Sequence, residues 1–292
     1  ALYPMDFIEF LWAMGDDKLV KLLQSQDWGL ITAVKSKYIE RLRQYYFVGG
    51  MPEAVKTFVD DQNFEAVRYV QNNLLLAYEY DFSKHIQDNS IISKVRAVWQ
   101  SLPEQLAKEN KKFVATQAQS GARLKDFESA IQWLVASGLV HQIFRITKPN
   151  LPLGGYQDNV FKLYFVDVGL LTAKTGLDVS VLLAGNRLFT EFKGALTEQY
   201  VLQQLLVSGL EPIFYWGLER AVAEVDFVVQ HSSQIIPIEV KAEENLKAKS
   251  LRSYYDKFKP DKVFRTSMSD YRKQDWLVNL PLYALANFRS LE

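Results

Sequence analysis

Three segments, GALTEQYVLQQLL (194–206), AEVDFVV (223–229) and IPIEVKA (236–242), decide the fold: a helix bearing an acid, a strand bearing an aspartate, and a strand ending in Glu-x-Lys. Side chains two apart on a strand share a face, so Glu239 and Lys241 point one way while Ile238 and Val240 point into a core. The pattern places Glu198, Asp226, Glu239 and Lys241 around one point. Cutting a phosphodiester needs a hard divalent cation that polarises the phosphoryl oxygen and acidifies a water, and such a cation takes one or two carboxylates while keeping several waters. Asp226 and Glu239 are the candidate ligands for Mg²⁺ or Mn²⁺. Lys241 is the ammonium that orients the attacking water or offsets charge on the phosphorane. Glu198 approaches from the flanking helix as a third ligand or as the partner of a metal-bound water.

An aspartate followed thirteen residues later by Glu-x-Lys also arises by chance on a solvated hairpin edge, so the surroundings carry the weight. Residues 213–216, 223–230 and 235–240 read as three strands and residues 246–258 as a following helix. In that order the segment resembles the PD-(D/E)xK nuclease-like core, in which a helix precedes three strands, the second with Asp and the third with ExK, and a further helix follows.

The chain has 292 residues, 48 % of them hydrophobic and 23 % charged, with no cysteine. That length accommodates more than one core, and the composition is that of a globular protein. Disulfides and thiolate metal sites are excluded. No uninterrupted apolar run reaches the ~18 residues of a membrane span. The opening ALYPMDFIEFLWAM lacks a basic region and contains Asp6 and Glu9, unlike a secretory signal. A cytoplasmic location is the expectation. Formal net charge is zero, yet residues 241–273 carry ten Lys or Arg against five acids. That stretch, with Lys247, Lys249 and Arg252, reads either as a solvated helix face or as a phosphate track.

Residues 1–84 read as helices, with YYFVGGMPEAV (45–55) as a helix-helix corner whose Gly49-Gly50 permits the turn and whose Pro52 opens the next helix. Residues 91–106 and 125–137 read as helices, the second stopped by Gly138. Two strands follow around the Pro/Gly-rich loop KPNLPLGGYQDN. Helices followed by a two-stranded ribbon outline a winged helix. Lys111, Lys112, Arg123 and Lys125 at its second helix, and Arg145 and Lys148 on its wing, are candidate DNA contacts; a protein-binding role for the same module is equally open. His85, His141 and His231 stand alone and read as structural, Trp99 and Trp133 as core. The chain contains no GxxxxGK[ST] phosphate loop.

LYPMDFIEFL (2–11), YYFVGGMPEAV (45–55), KLYFVDVGLL (162–171) and the three opening segments, in that order, are similar to the C-terminal half of AAA+ type ATPases that carry the DUF4143 domain. The resemblance spans essentially the whole chain. It implies an α+β architecture: a lid-like helical remainder of the ATPase module (1–84), a winged-helix segment (85–178) and an α/β PD-(D/E)xK nuclease-like domain (179–292). Because the chain begins at Ala1, at a motif near the end of the family's ATPase module, it implies a fragment whose nucleotide site lies in a missing module, so ATP is not expected to bind here. The partners implied are DNA or another nucleic acid and that ATPase module, with no membrane. Glu198, Asp226, Glu239 and Lys241 carry over as the site. The rival expectation is a non-catalytic DNA-binding or regulatory module that keeps the nuclease fold as scaffold.

Overall fold

The structure is a computed structural model describing residues 2–108, 111–184, 190–218, 223–242 and 248–291. Helical periodicity in the first half becomes α1 (Phe7–Ala13), α2 (Asp17–Ser25), α3 (Trp28–Ala33), α4 (Lys35–Val48), α5 (Pro52–Asp61), α6 (Phe64–His85), α7 (Asn89–Leu106), α8 (Ala115–Ala118) and α9 (Glu128–Ala136). Local chemistry sets their ends. Asp6 and Glu9 close a reciprocal capping box on α1, and Asn63 accepts from Glu65 and Ala66 N–H at the start of α6.

The ribbon is β1 (Val140–Ile146) and β2 (Gln157–Phe165), followed by α10 (Val168–Lys174), α11 (Val179–Ala184) and α12 (Thr190–Val207). Then come β3 (Ile213–Gly217), β4 (Glu224–His231), β5 (Gln234–Val240), α13 (Lys249–Phe258), β6 (Phe264–Ser267), β7 (Arg272–Lys273) and β8 (Val278–Pro281). The architecture is mixed α+β, as expected. All eight strands form one sheet in the order β2-β1-β3-β4-β5-β6-β8-β7.

This sheet joins what the sequence reading separates at residue 178. β1 pairs antiparallel with β2 and parallel with β3, Phe144 lying opposite Phe214. A free β1 edge would leave a row of unpaired N–H and C=O groups, and β3 covers it. The ribbon is therefore part of the main sheet rather than a projecting wing. Arg145 follows it inward: only 5 % exposed, its guanidinium is bound by Asp158, so it is not the phosphate contact expected of a wing residue.

Apolar residues of the strands divide between two cores. Ile213, Phe227, Ile236 and Ile238 join the larger core beneath α12, whereas Phe214, Trp216, Val225 and Val228 pack with Leu251 and Tyr254 of α13. α12 is buried around its whole circumference from Ala195 to Leu206, polar residues included. Its glutamines remain satisfied because an amide both donates and accepts. Gln199 bonds both the N–H and the C=O of Phe165, Gln203 accepts from Val168 N–H and donates to the Tyr45 hydroxyl, and Gln204 accepts from Phe7 N–H.

The same region explains the paired-glycine motif. Buried Asp167 caps α10 through Leu170 N–H and accepts Gly50 N–H at 2.6 Å. Gly49 has φ of 75°, and a Cβ on Gly169 would lie 2.4 Å from the Val48 carbonyl oxygen. The motif is a backbone weld between α4, α5 and α10, tighter than a simple helix-helix corner.

Candidate functional site

The site forms where the middle of α12 meets β2, β4 and β5. Phe214 of β3 lies opposite Val228 and Trp216 opposite Val225, so Asp226 and Phe227 together face the single residue Tyr215. Such a bulge bends a strand and re-aims side chains. Here it falls at Asp226, whose Oδ2 accepts the Val240 N–H at 2.7 Å just beyond the last β4–β5 ladder pair, Phe227 with Ile238. On β5, Ile238 and Val240 enter the core, and the Lys241 Nζ donates to Glu239 Oε1 at 2.6 Å. The alternation expected of IPIEVKA is what the structure contains.

Two further cations come from outside the nuclease-like segment. Lys162 of β2 is 1 % exposed; its Nζ donates to Glu224, sits 3.8 Å from Glu198 and lies 4.8 Å from the centre of the Tyr215 ring. Lys111 donates to Glu198 Oε1, and the Tyr164 hydroxyl donates to Glu198 Oε2 at 3.1 Å. The result is four carboxylates, of Glu198, Glu224, Asp226 and Glu239, interleaved with three ammoniums.

The charges are unequally compensated. Burial would raise the Glu198 pKa, but Lys111 and Lys162 together hold it below the ordinary range. Asp226 is pushed well above the ordinary carboxylate value by burial and then by Glu198 and Glu239. Burial also raises Glu239, against the opposing pull of Lys241. Lys162 is raised despite its burial because Tyr164, Glu198, Glu224 and Asp226 surround it.

These facts decide which carboxylates fit a cation. Both oxygens of Glu198 already have donors. Glu239 Oε2 is buried without a hydrogen-bond partner, and Asp226 beside it is crowded by negative charge and partly accessible. Asp226 and Glu239 therefore fit a divalent ion, with Glu198 set behind Lys111 and Lys162. Among the described residues, no group of three or more His, Asp or Glu side chains is arranged to hold a metal.

The residues expected to contact nucleic acid are dispersed. Lys111 is a correction: its ammonium is engaged by Glu198 and its side chain is 13 % exposed, so it belongs to the acidic cluster rather than to a phosphate-facing surface. Lys112 forms an isolated β-bridge with Lys162. Arg123 and Lys125 are exposed just before α9, Arg123 lying 3.9 Å from Asp126. α9 itself contains neither Lys nor Arg. Lys249 and Arg252 are exposed on α13, with Arg252 held by Asp256 at 3.0 Å. Lys247 lies outside the described residues.

These elements define an α/β unit built on a buried ion cluster. Residues 193–285 match the model of a family described as a domain of unknown function (DUF4143), and residues 39–180 match that of a second domain of unknown function (DUF8612). The match over residues 193–285 agrees with the DUF4143 part of the resemblance. No curated protein and no solved structure matches it. Among the described residues no helix is long and apolar enough to cross a membrane.

Proposed function

We propose that residues 193–285 form a PD-(D/E)xK nuclease-like domain that cleaves nucleic-acid phosphodiesters with Mg²⁺ or Mn²⁺, as the C-terminal part of a AAA+ ATPase whose nucleotide module is supplied elsewhere in the parent protein. The order α12, β3, β4, β5, α13, β6 agrees with that fold. The observation that carries the reading is the unpartnered, buried Glu239 Oε2 beside Asp226. When bound, the cation would polarise the phosphoryl oxygen and acidify a water. Lys241 holds Glu239 in orientation through its 2.6 Å hydrogen bond, and Val240 N–H fixes the Asp226 carboxylate. Lys162, Lys111 and Tyr164 anchor Glu198 behind them.

Protons and metal compete for Asp226 and Glu239, both of which hold protons more tightly than ordinary carboxylates. Mn²⁺ binding should therefore release protons and tighten as pH rises. Calorimetric titration with Mn²⁺ in two buffers of different ionisation enthalpy measures this. Strand-cleavage assays with Asp226→Asn and Glu239→Gln should show loss of cutting with the fold intact. Absence of saturable Mn²⁺ heat, or cleavage that survives both substitutions, refutes the assignment.

A second reading has its own support. Lys162 and Lys111 already neutralise the acid on α12, as a self-contained structural cluster would require, and the cation-free α9 suits protein contact better than DNA. On this reading the nuclease fold is the scaffold of a regulatory module, and no metal binds.

A further inference from the structure

At the β7–β8 edge of the sheet a cavity of about 350 Å³ opens beside α3 and α13. Four half-buried aromatic rings line it: Trp28, Tyr255, Tyr271 and Trp276. Trp28 and Tyr271 pack against the larger core, Tyr255 and Trp276 against the smaller one, so the walls come from both faces of the sheet. Trp28 and Tyr271 are stacked, their centroids 4.2 Å apart and their planes 6° from parallel. The other two rings lie under cations. The Arg252 guanidinium is 5.1 Å from the Trp276 centroid and 5.6 Å from that of Tyr255, and Lys259 Nζ is 5.0 Å from Tyr255. None of these groups belongs to the Asp226–Glu239 site.

The rings and the charges select the same ligand chemistry. Flat rings favour another flat ring, while cations already standing over Tyr255 and Trp276 repel a cationic guest and favour one that carries negative charge. Exposed Lys273 adds a cation at the mouth, and exposed Arg252 and Lys249 continue the positive charge along α13. Asp256 offsets part of it through Arg252 and Lys259. The other acids at the mouth, Asp261 and Asp275, are exposed and suit the amino and ring N–H donors of a base edge. We propose that this cavity takes one unpaired base of a single-stranded nucleic acid, stacked on the aromatic walls, with the flanking phosphates on Arg252, Lys259 and Lys273. Its volume lies at the small end of ligand sites, which suits a single base. A duplex keeps its bases stacked on each other and withholds the flat faces that the cavity needs. Such a site draws on stacking and backbone charge, so it tolerates many sequences.

Fluorescence anisotropy with a labelled single strand of about 12 nucleotides tests this at low salt. EDTA is present throughout, so neither metal nor cleavage enters the measurement. Wild type should bind the strand at least about fivefold more tightly than an abasic strand of the same length, the lower end of what one stacked base contributes. Trp276→Ala and Tyr255→Ala should each lose about fivefold or more, while Trp276→Phe and Tyr255→Phe, which keep a ring, should stay within about threefold of wild type. Lys273→Gln should weaken binding and reduce the salt slope by about one. Its side chain is exposed on β7, so this variant reads the site even where an alanine loosens the sheet edge in a thermal melt. Trp276→Ala should leave the Mn²⁺ heat of the Asp226–Glu239 site as in wild type. A chain that binds the strand yet gives no Mn²⁺ heat therefore refutes the nuclease reading and leaves this one standing. A wild type that binds no strand, equal affinity for the abasic strand or for a duplex, a mononucleotide bound as tightly as the strand, or folded alanine variants that bind like wild type overturns the proposal.

Discussion

Replacing Lys162 with methionine keeps the length of the side chain and deletes its charge. Lys162 is 1 % exposed, is bonded to Glu224, stands 3.8 Å from Glu198 and faces the Tyr215 ring. Removing one partner from a buried ion pair costs about 3–5 kcal/mol, because the remaining charge is left without compensation. Two features place the loss near the lower bound. Glu198 keeps Lys111 and Tyr164, and the Glu224 side chain is 28 % exposed, so water recovers part of its solvation. A loss of about 3 kcal/mol in a chain of this size lowers Tm by roughly 6–12 °C. The deficit should depend on pH in a definite direction. Without Lys162 the folded-state pKa of Glu198 rises, and a group with a raised folded pKa contributes stability at low pH that is lost as pH increases. The loss should therefore be largest near pH 8 and shrink toward pH 5. Adding Glu224→Gln to the methionine variant should recover about 1 kcal/mol by removing one stranded carboxylate. Thermal and urea unfolding across that pH range measure all three effects. A methionine variant that melts within about 1 °C of wild type at pH 8, or that is worse in acid, refutes the view of Lys162 as the counter-charge of the cluster.

Asp226→Asn should raise Tm at neutral pH, since the amide still accepts the Val240 N–H while the burial and crowding of a charge disappear. Asp226 has a raised folded pKa, so its stabilisation is complete below the ordinary carboxylate range and lost as pH climbs through the folded value; the gain from asparagine should grow from pH 4 to pH 8, and melts showing the reverse trend would contradict the crowding. Gly169→Ala should destabilise by at least about 2 kcal/mol, because its Cβ would stand 2.4 Å from a backbone carbonyl oxygen that cannot step aside. Gly155→Ala, where a Cβ meets nothing within 4 Å, is the matched control and should be close to neutral in the same denaturation experiment.

Much of this arrangement can be read from residue order, and the exceptions have physical causes. Period-two alternation in IPIEVKA places Glu239 with Lys241, and Gly138, at φ of 72°, ends α9 as a C-terminal glycine. Pro52 opens α5 as expected. Lys162 is harder to read. In FKLYFV it looks like one polar residue on a strand, and only the partner on α12, thirty-six positions later, shows that it is buried. A lone lysine in an otherwise apolar run was the available signal. Lys111 misleads for the complementary reason: next to Lys112 it resembles a surface basic pair, whereas Glu198 draws it inward. Strands β6 and β8 escape periodicity because they are four residues long and carry the buried polar residues Arg265 and Asn279, which bond each other at 2.9 Å.

The single sheet running from β2 to β7 makes the two matched segments depend on each other. Lys162 lies in the segment 39–180, whereas Glu198 and Glu224 lie in the segment 193–285. Separating the two segments would uncover the β1 edge that β3 pairs and leave a buried ammonium or carboxylate without its opposite. Neither segment holds the whole cluster: residues 39–180 alone would leave Lys162 and Lys111 without Glu198, and residues 193–285 alone would leave Glu198 and Glu224 without their ammoniums.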